Sequence, residues 1–217
     1  MGLISDKDKK MLEKMFQEKL KDDVKMILFR GEKDECMYCS ETEDILKEVS
    51  SLSDKILLDI YDFKKDSEMV EKYNIDKIPA TVIEGKKDYG IRFFGIPAGY
   101  EFTTVIEDIM DVSAGRPELT AEIIDKVNSI KEPVTLEVFV TPSCPYCPQS
   151  VRVAHKFAMV NDNIKGHMIE ATEFPELSAK YNVSGVPKTV INSGKGEYVG
   201  AYPDDNAIDE VIKSLGK

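Results

Sequence analysis

Along the chain, short apolar runs alternate with longer stretches in which apolar residues recur every third or fourth position. Over residues 5–20, Leu12, Met15, Phe16 and Leu20 fall on one side of a helix, with Ser5 placed to cap its start. Residues 24–30 are short and apolar, as a buried strand is. A helix is expected from Cys36 to about residue 49, a strand over 55–61 and a short helix over 67–73. Strands at 80–84 and 88–94 form a hairpin across Gly85, and a helix over 101–111 follows. The series then starts again. Leu119, Ile123, Val127 and Ile130 mark a helix, 134–140 a strand, and a helix runs from Cys144 to about residue 160. A strand at 167–171, a short helix at 175–181, strands at 188–192 and 196–200 and a helix at 207–215 complete it. Each half reads αβαβαββα. This predicts an α/β protein of two tandem units, each with a central mixed sheet flanked by helices.

The two halves also match residue by residue. A shift of 108 positions lays Cys36 on Cys144, Tyr38 on Tyr146 and Cys39 on Cys147. The same shift lays Lys72-Tyr73-Asn74-Ile75 on Lys180-Tyr181-Asn182-Val183, and Ile78-Pro79 on Val186-Pro187. Cys36 and Pro79 are 43 positions apart, as are Cys144 and Pro187. Self-similarity at this period means a duplicated domain, not a short-repeat solenoid. Gly115-Arg116-Pro117 supplies a helix stop followed by a helix start, and divides the chain into residues 1–115 and 116–217.

Composition narrows the function classes. The 217 residues are 42% hydrophobic and 32% charged, which suits a globular core. Acidic residues outnumber basic ones by 40 to 29, for a net charge of −11. That balance argues against nucleic acid and against an anionic membrane surface as partners. The N-terminus turns polar within five residues, so no secretory leader is expected, and cytoplasm is the expected location. Gln occurs only at Gln17 and Gln149 and Trp not at all, while Lys and Glu are abundant; this fits a thermophile.

The four cysteines form two Cys-x-x-Cys pairs, a spacing that in a cytosolic chain reads as redox or metal-binding. A strand, Cys-x-x-Cys at a helix start, then a strand entered through Ile/Val-Pro-x-Thr resembles the thioredoxin pattern. Cys144-Pro145-Tyr146-Cys147 is similar to the glutaredoxin version of the pair. The tandem, with Phe94-Gly95-Ile96-Pro97-Ala98-Gly99, resembles the archaeal protein disulfide oxidoreductases, or glutaredoxin-like proteins of thermophiles, over essentially the whole chain. The resemblance implies a protein dithiol–disulfide exchanger with no bound cofactor. Its electrons would come from NADPH through a thioredoxin reductase. It also implies that Pro79 and Pro187 follow cis bonds, leaving the backbone of Ile78 and Val186 to pair with an extended substrate. Flavin-type peroxide-reductase partner proteins carry a similar tandem with one pair lost; both pairs persist here.

The spacing suits this chemistry. A free thiol titrates at roughly 8.5 and the thiolate is the nucleophile, so a helix N-terminus beside the sulfur promotes attack. Cys36 and Cys144 are the expected nucleophiles, Cys39 and Cys147 the resolving thiols. Glu32, Lys33, Asp34 and Glu35 give Cys36 a net acidic approach, whereas Thr141-Pro142-Ser143 is uncharged, so Cys144 is expected to be the more acidic thiol. Pro148, at the fourth position of a helix begun at residue 145, is expected to distort its first turn. Thioredoxins keep a buried acid on the strand before the nucleophile; Glu137 is off that position by one and is a poor match. His155 and His167 are read as structural. Gly85-Lys86-Lys87 and Ser193-Gly194-Lys195 stand where glutaredoxins have a Gly-Gly turn, so glutathione is not expected. The competing readings are a four-thiolate metal site and a redox-inert scaffold.

Overall fold

The computed structural model describes residues 4–32 and 34–216. The first half runs α1 (Asp6–Lys19), β1 (Val24–Arg30), α2 (Cys39–Ser50), β2 (Ile56–Asp62), α3 (Ser67–Tyr73), β3 (Ala80–Glu84), β4 (Asp88–Phe94) and α4 (Glu101–Ala114). The second runs α5 (Ala121–Asn128), β5 (Val134–Val140), α6 (Cys147–Val160), β6 (Ile164–Glu170), α7 (Pro175–Lys180), β7 (Lys188–Ile191), β8 (Gly196–Val199) and α8 (Asp204–Ser214). Ser5 caps α1 by accepting the Asp8 N–H, as its sequence position predicts. Gly115 ends α4 in the left-handed conformation.

The eight strands form one sheet, in the order β2-β1-β3-β4-β6-β5-β7-β8. Each unit contributes its own mixed four-stranded sheet, β2-β1-β3-β4 and β6-β5-β7-β8, and the two join edge to edge. The edge strand of each unit, β4 and β6, pairs in parallel with its counterpart, Ile91 to Phe94 against Gly166 to Ile169. Ile91, Phe93, Phe94, Met168 and Ile169 are all buried there. Joining two apolar edges satisfies their backbone groups and removes them from solvent. A side chain at Gly166 would stand 2.7 Å from the Ala154 carbonyl oxygen, so glycine lets α6 settle onto the seam.

The two faces of the sheet are covered unequally. Helices α1, α2, α4, α5, α6 and α8 contribute to one apolar core, which includes Phe16, Leu46, Ile109, Val127, Phe157 and Ile208. The other face packs against α3 and α7 through Tyr73, Leu177 and Tyr181. Cys144 and Cys147 belong to the first core.

Candidate active site: two disulfide loops at helix starts

In each unit the first strand ends, a loop follows, and a helix leads away over the sheet. The sulfurs sit at that junction. Cys36 is bonded to Cys39 (S–S 1.98 Å) and Cys144 to Cys147 (2.16 Å), with Cα atoms 5.5 Å apart in both pairs. The helices begin at the second cysteine of each pair, not the first as expected. Tyr38 and Tyr146, which precede the helices, offer no side-chain cap. The first cysteine is instead held beside the helix start by the disulfide to its partner. The later start also removes the expected distortion at Pro148. It falls in the first turn, where a missing N–H has no acceptor to lose.

Within each pair the first cysteine is the more accessible: Cys36 is 6% exposed against 1% for Cys39, and Cys144 9% against 0% for Cys147. The residues between them are open to solvent, Tyr146 at 69%. An incoming group therefore meets the first sulfur, which is the order that attack followed by resolution requires.

The Ile78-Pro79 and Val186-Pro187 bonds are both cis. Pro79 O accepts the Gly95 N–H at 2.9 Å, and Pro187 O the Gly200 N–H at 2.8 Å. The Gly31 N–H donates to Cys39 Sγ at 3.4 Å, while a side chain at Gly31 would meet Ile78 Cδ1 at 2.7 Å. Gly31 thus joins Cys39 and Ile78 into one neighbourhood. In the second unit Val186 packs against the core that holds Cys144 and Cys147.

Two of the acids that approach Cys36 have cation partners. Lys64 pairs with Glu35, and Lys65 with both Glu32 (3.8 Å) and Asp62 (3.0 Å). The loop after β2 folds these cations back onto Glu32 and Glu35, which reduces the negative field ahead of Cys36.

The structure adds two carboxyls that the sequence does not single out. Glu101 opens α4 and is buried; its Oε2 accepts from Thr104 Oγ1 at 2.8 Å and its Oε1 has no hydrogen-bond partner among the described residues. Burial pushes its pKa up to about 7, with the Asp108 carboxylate adding to the rise. The preceding Tyr100 N–H donates to the Pro142 carbonyl at 3.1 Å, two positions before Cys144. Glu173, after β6, accepts the Ile96 N–H at 2.6 Å, and burial raises it to about 7 as well, with Glu170 and Glu41 opposing its charge. Both carboxyls sit where one unit touches the other. No spacing within a single repeat could have marked them.

Glu137 is displaced from any redox role at Cys144. Its side chain shares a sheet face with Phe139, which belongs to the core opposite Cys144 and Cys147. It lies in register with His167, and its neighbours include Lys77 of the first unit. His167 is held well below its usual pKa by burial and by the charges of Arg92 and Lys77. His155 is fully buried, with Nδ1 2.6 Å from Asp108 Oδ2 and its ring edge-on to Phe93. Among the described residues, no group of three or more His, Cys, Asp or Glu is arranged to hold a metal ion.

Paired disulfides at helix starts, with a cis-proline entering a strand in each unit and the whole repeated twice on one sheet, define a tandem thioredoxin fold. The thioredoxin domain family matches residues 25–107 and 134–213, and the chain belongs to it. A solved protein disulfide oxidoreductase from Aeropyrum pernix superposes with a TM-score of 0.88 at 28% identity, covering 98% of this chain and 94% of that one. The alkylhydroperoxide reductase AhpF of Enterococcus faecalis gives 0.87 at 25% identity, covering 96% and 99%. Among curated proteins, an NADH dehydrogenase of Ferdinandcohnia aciditolerans is 28% identical over 180 residues, 80% of this chain and 34% of that protein. An alkyl hydroperoxide reductase component of Staphylococcus aureus is 27% identical over 177 residues, 81% of this chain and 31% of that protein. The chain therefore spans about a third of the length of these curated relatives. No helix among the described residues is long and apolar enough to cross a membrane.

Proposed function

We propose that this chain exchanges disulfides with protein substrates through both of its cysteine pairs, one in each of the units 1–115 and 116–217. The observation that carries this reading is the graded burial of each pair at its helix start. In the reducing direction the thiolate of Cys36 or Cys144 attacks a substrate disulfide, forming a mixed disulfide and releasing one substrate thiolate. Cys39 or Cys147, deprotonated, then attacks the first sulfur. The enzyme disulfide forms, and the second substrate thiolate leaves and takes up a proton. Substrate oxidation is the same sequence reversed. The backbone of Ile78-Pro79 and Val186-Pro187 pairs with an extended substrate segment beside the sulfurs. Electrons reach the pairs from NADPH through a thioredoxin reductase-like donor, and the protein works in the cytoplasm.

The test is reduction of insulin disulfides in dithiothreitol. Cys36→Ser and Cys144→Ser should each lose part of the activity, and the double variant should fall to the dithiothreitol background. A double variant as active as the wild type would overturn the reading.

A further inference from the structure

A groove of about 760 Å³ runs between α1 and α4, outside both disulfide loops. Met11 and Met15, one turn apart on α1, face Phe102 and Met110 of α4 across it. Met11 is 55% exposed, so a large apolar side chain lines an open concavity that the described residues leave uncovered. Thioethers on flexible stems adapt to partners of varied shape, and a volume of this size takes several side chains at once.

The position of the groove ties it to both redox pairs. One end is closed by Glu41 and Ile45 of α2, the helix that begins at Cys39, and by the segment 96–99. Ile96 follows Gly95, whose N–H binds the Pro79 carbonyl. At the other end of that segment, Gly99 lies against the Pro142 carbonyl; a side chain there would come within 2.1 Å of the oxygen. A chain lying in the groove therefore leads toward the first pair along α2 and toward the second past Pro142.

The rim selects the occupant. Asp8 and Glu41 face Lys19 around it, two acids to one base, while Glu107 of the same rim is already paired with Arg152. A second copy of a chain with net charge −11 would meet this acidic rim with like charge. A polypeptide segment mixing apolar and basic residues meets it with complementary chemistry.

We infer that the groove between α1 and α4 holds apolar, basic stretches of unfolded polypeptide while a cystine or dithiol elsewhere in the same substrate reaches Cys36 or Cys144. This rests on the exchange reading for the redox pairs; the binding itself does not. The groove gives the enzyme a substrate class: chains whose apolar residues are still exposed.

The test uses the full chain with both disulfides closed and a fluorescein-labelled, cysteine-free peptide of alternating leucine and lysine. Anisotropy titration should show binding, weakened at least about five-fold in Met11→Gln/Met15→Gln, a pair that keeps helix propensity while removing apolar contact. Leu57→Gln, the same kind of change on the β2 edge, should bind as the wild type does. The KM for an unfolded, disulfide-bonded protein should rise about five-fold in the groove variant, with turnover of hydroxyethyl disulfide unchanged. Three results would overturn the inference: no peptide binding by the wild type, equal binding by the groove variant, or a dimer in sedimentation that the groove variant dissociates. Peptide binding without turnover of any disulfide would support the groove and overturn the exchange reading.

Discussion

A carboxyl closed off from water keeps its proton to a higher pH, and the cost of ionising it falls on the folded state. Glu101 is in this position, its pKa moved by burial from 4.5 to about 7. Between these two values the folded chain holds a proton that the unfolded chain has released, so this group lowers stability progressively as pH rises through that window. Above about 7 the whole cost is present, about 3 kcal/mol. Glu101→Gln carries no charge to desolvate. It should match the wild type near pH 4 and exceed it by up to about 3 kcal/mol at pH 8, as read from urea unfolding at the two pH values. Equal stability at both would mean that the Glu101 carboxylate is solvated when it ionises. The cysteines, Pro79 and Pro187 are legible in the sequence because each repeat carries them at one spacing. Glu101 is not, because a glutamate opening a helix ordinarily marks a solvated first turn, and nothing in its spacing shows that this one is buried.

At the scale of elements, strands β1, β3, β4, β5 and β7 follow directly from apolar runs bounded by turn residues. The helix starts at the redox pairs do not. The helical pattern of α2 and α6 can be extended back to Cys36 and Cys144 without breaking its period, while neither Tyr38 nor Tyr146 carries a capping oxygen to fix the boundary. Strand β6 also begins earlier than its sequence suggests, at Ile164, since Lys165 and Gly166 interrupt the apolar run where α6 packs closely. The position of Pro148 turns on that boundary. Deep in a helix, replacing it with alanine would recover a hydrogen bond and relieve a clash, a gain of roughly 3 kcal/mol. In the first turn, where the structure places it, neither exists to recover. Pro148→Ala should then lose up to about 1 kcal/mol through the greater freedom of its unfolded chain. Denaturant unfolding distinguishes the two by sign.

Duplication in the sequence announces two units and says nothing of how they meet, because a strand edge reads the same whether water or another edge lies beyond it. Here they meet both within the sheet and above it. The sheet is continuous through β4 and β6, and above that seam α4 and α6 share a buried charge cluster. Asp108 of α4 is fully buried and binds both Arg152 and His155 of α6, while Asp111 and Glu107 take the remaining guanidinium contacts. Three carboxylates hold the Arg152 pKa well above its usual value in spite of burial. Removing one partner from such a cluster leaves the others desolvated without compensation, a loss of about 3–5 kcal/mol. Asp108→Ala should therefore destabilise the chain by that order, and more than Asp209→Ala, whose ion pair to Lys126 is exposed. Because Asp108 belongs to the first unit and its partners to the second, the loss should fall on both. Calorimetry should show a single transition that moves down as a whole. Two transitions, of which only one shifts, would mean that the seam does not couple the units and that each pair of cysteines rides on a fold that melts alone.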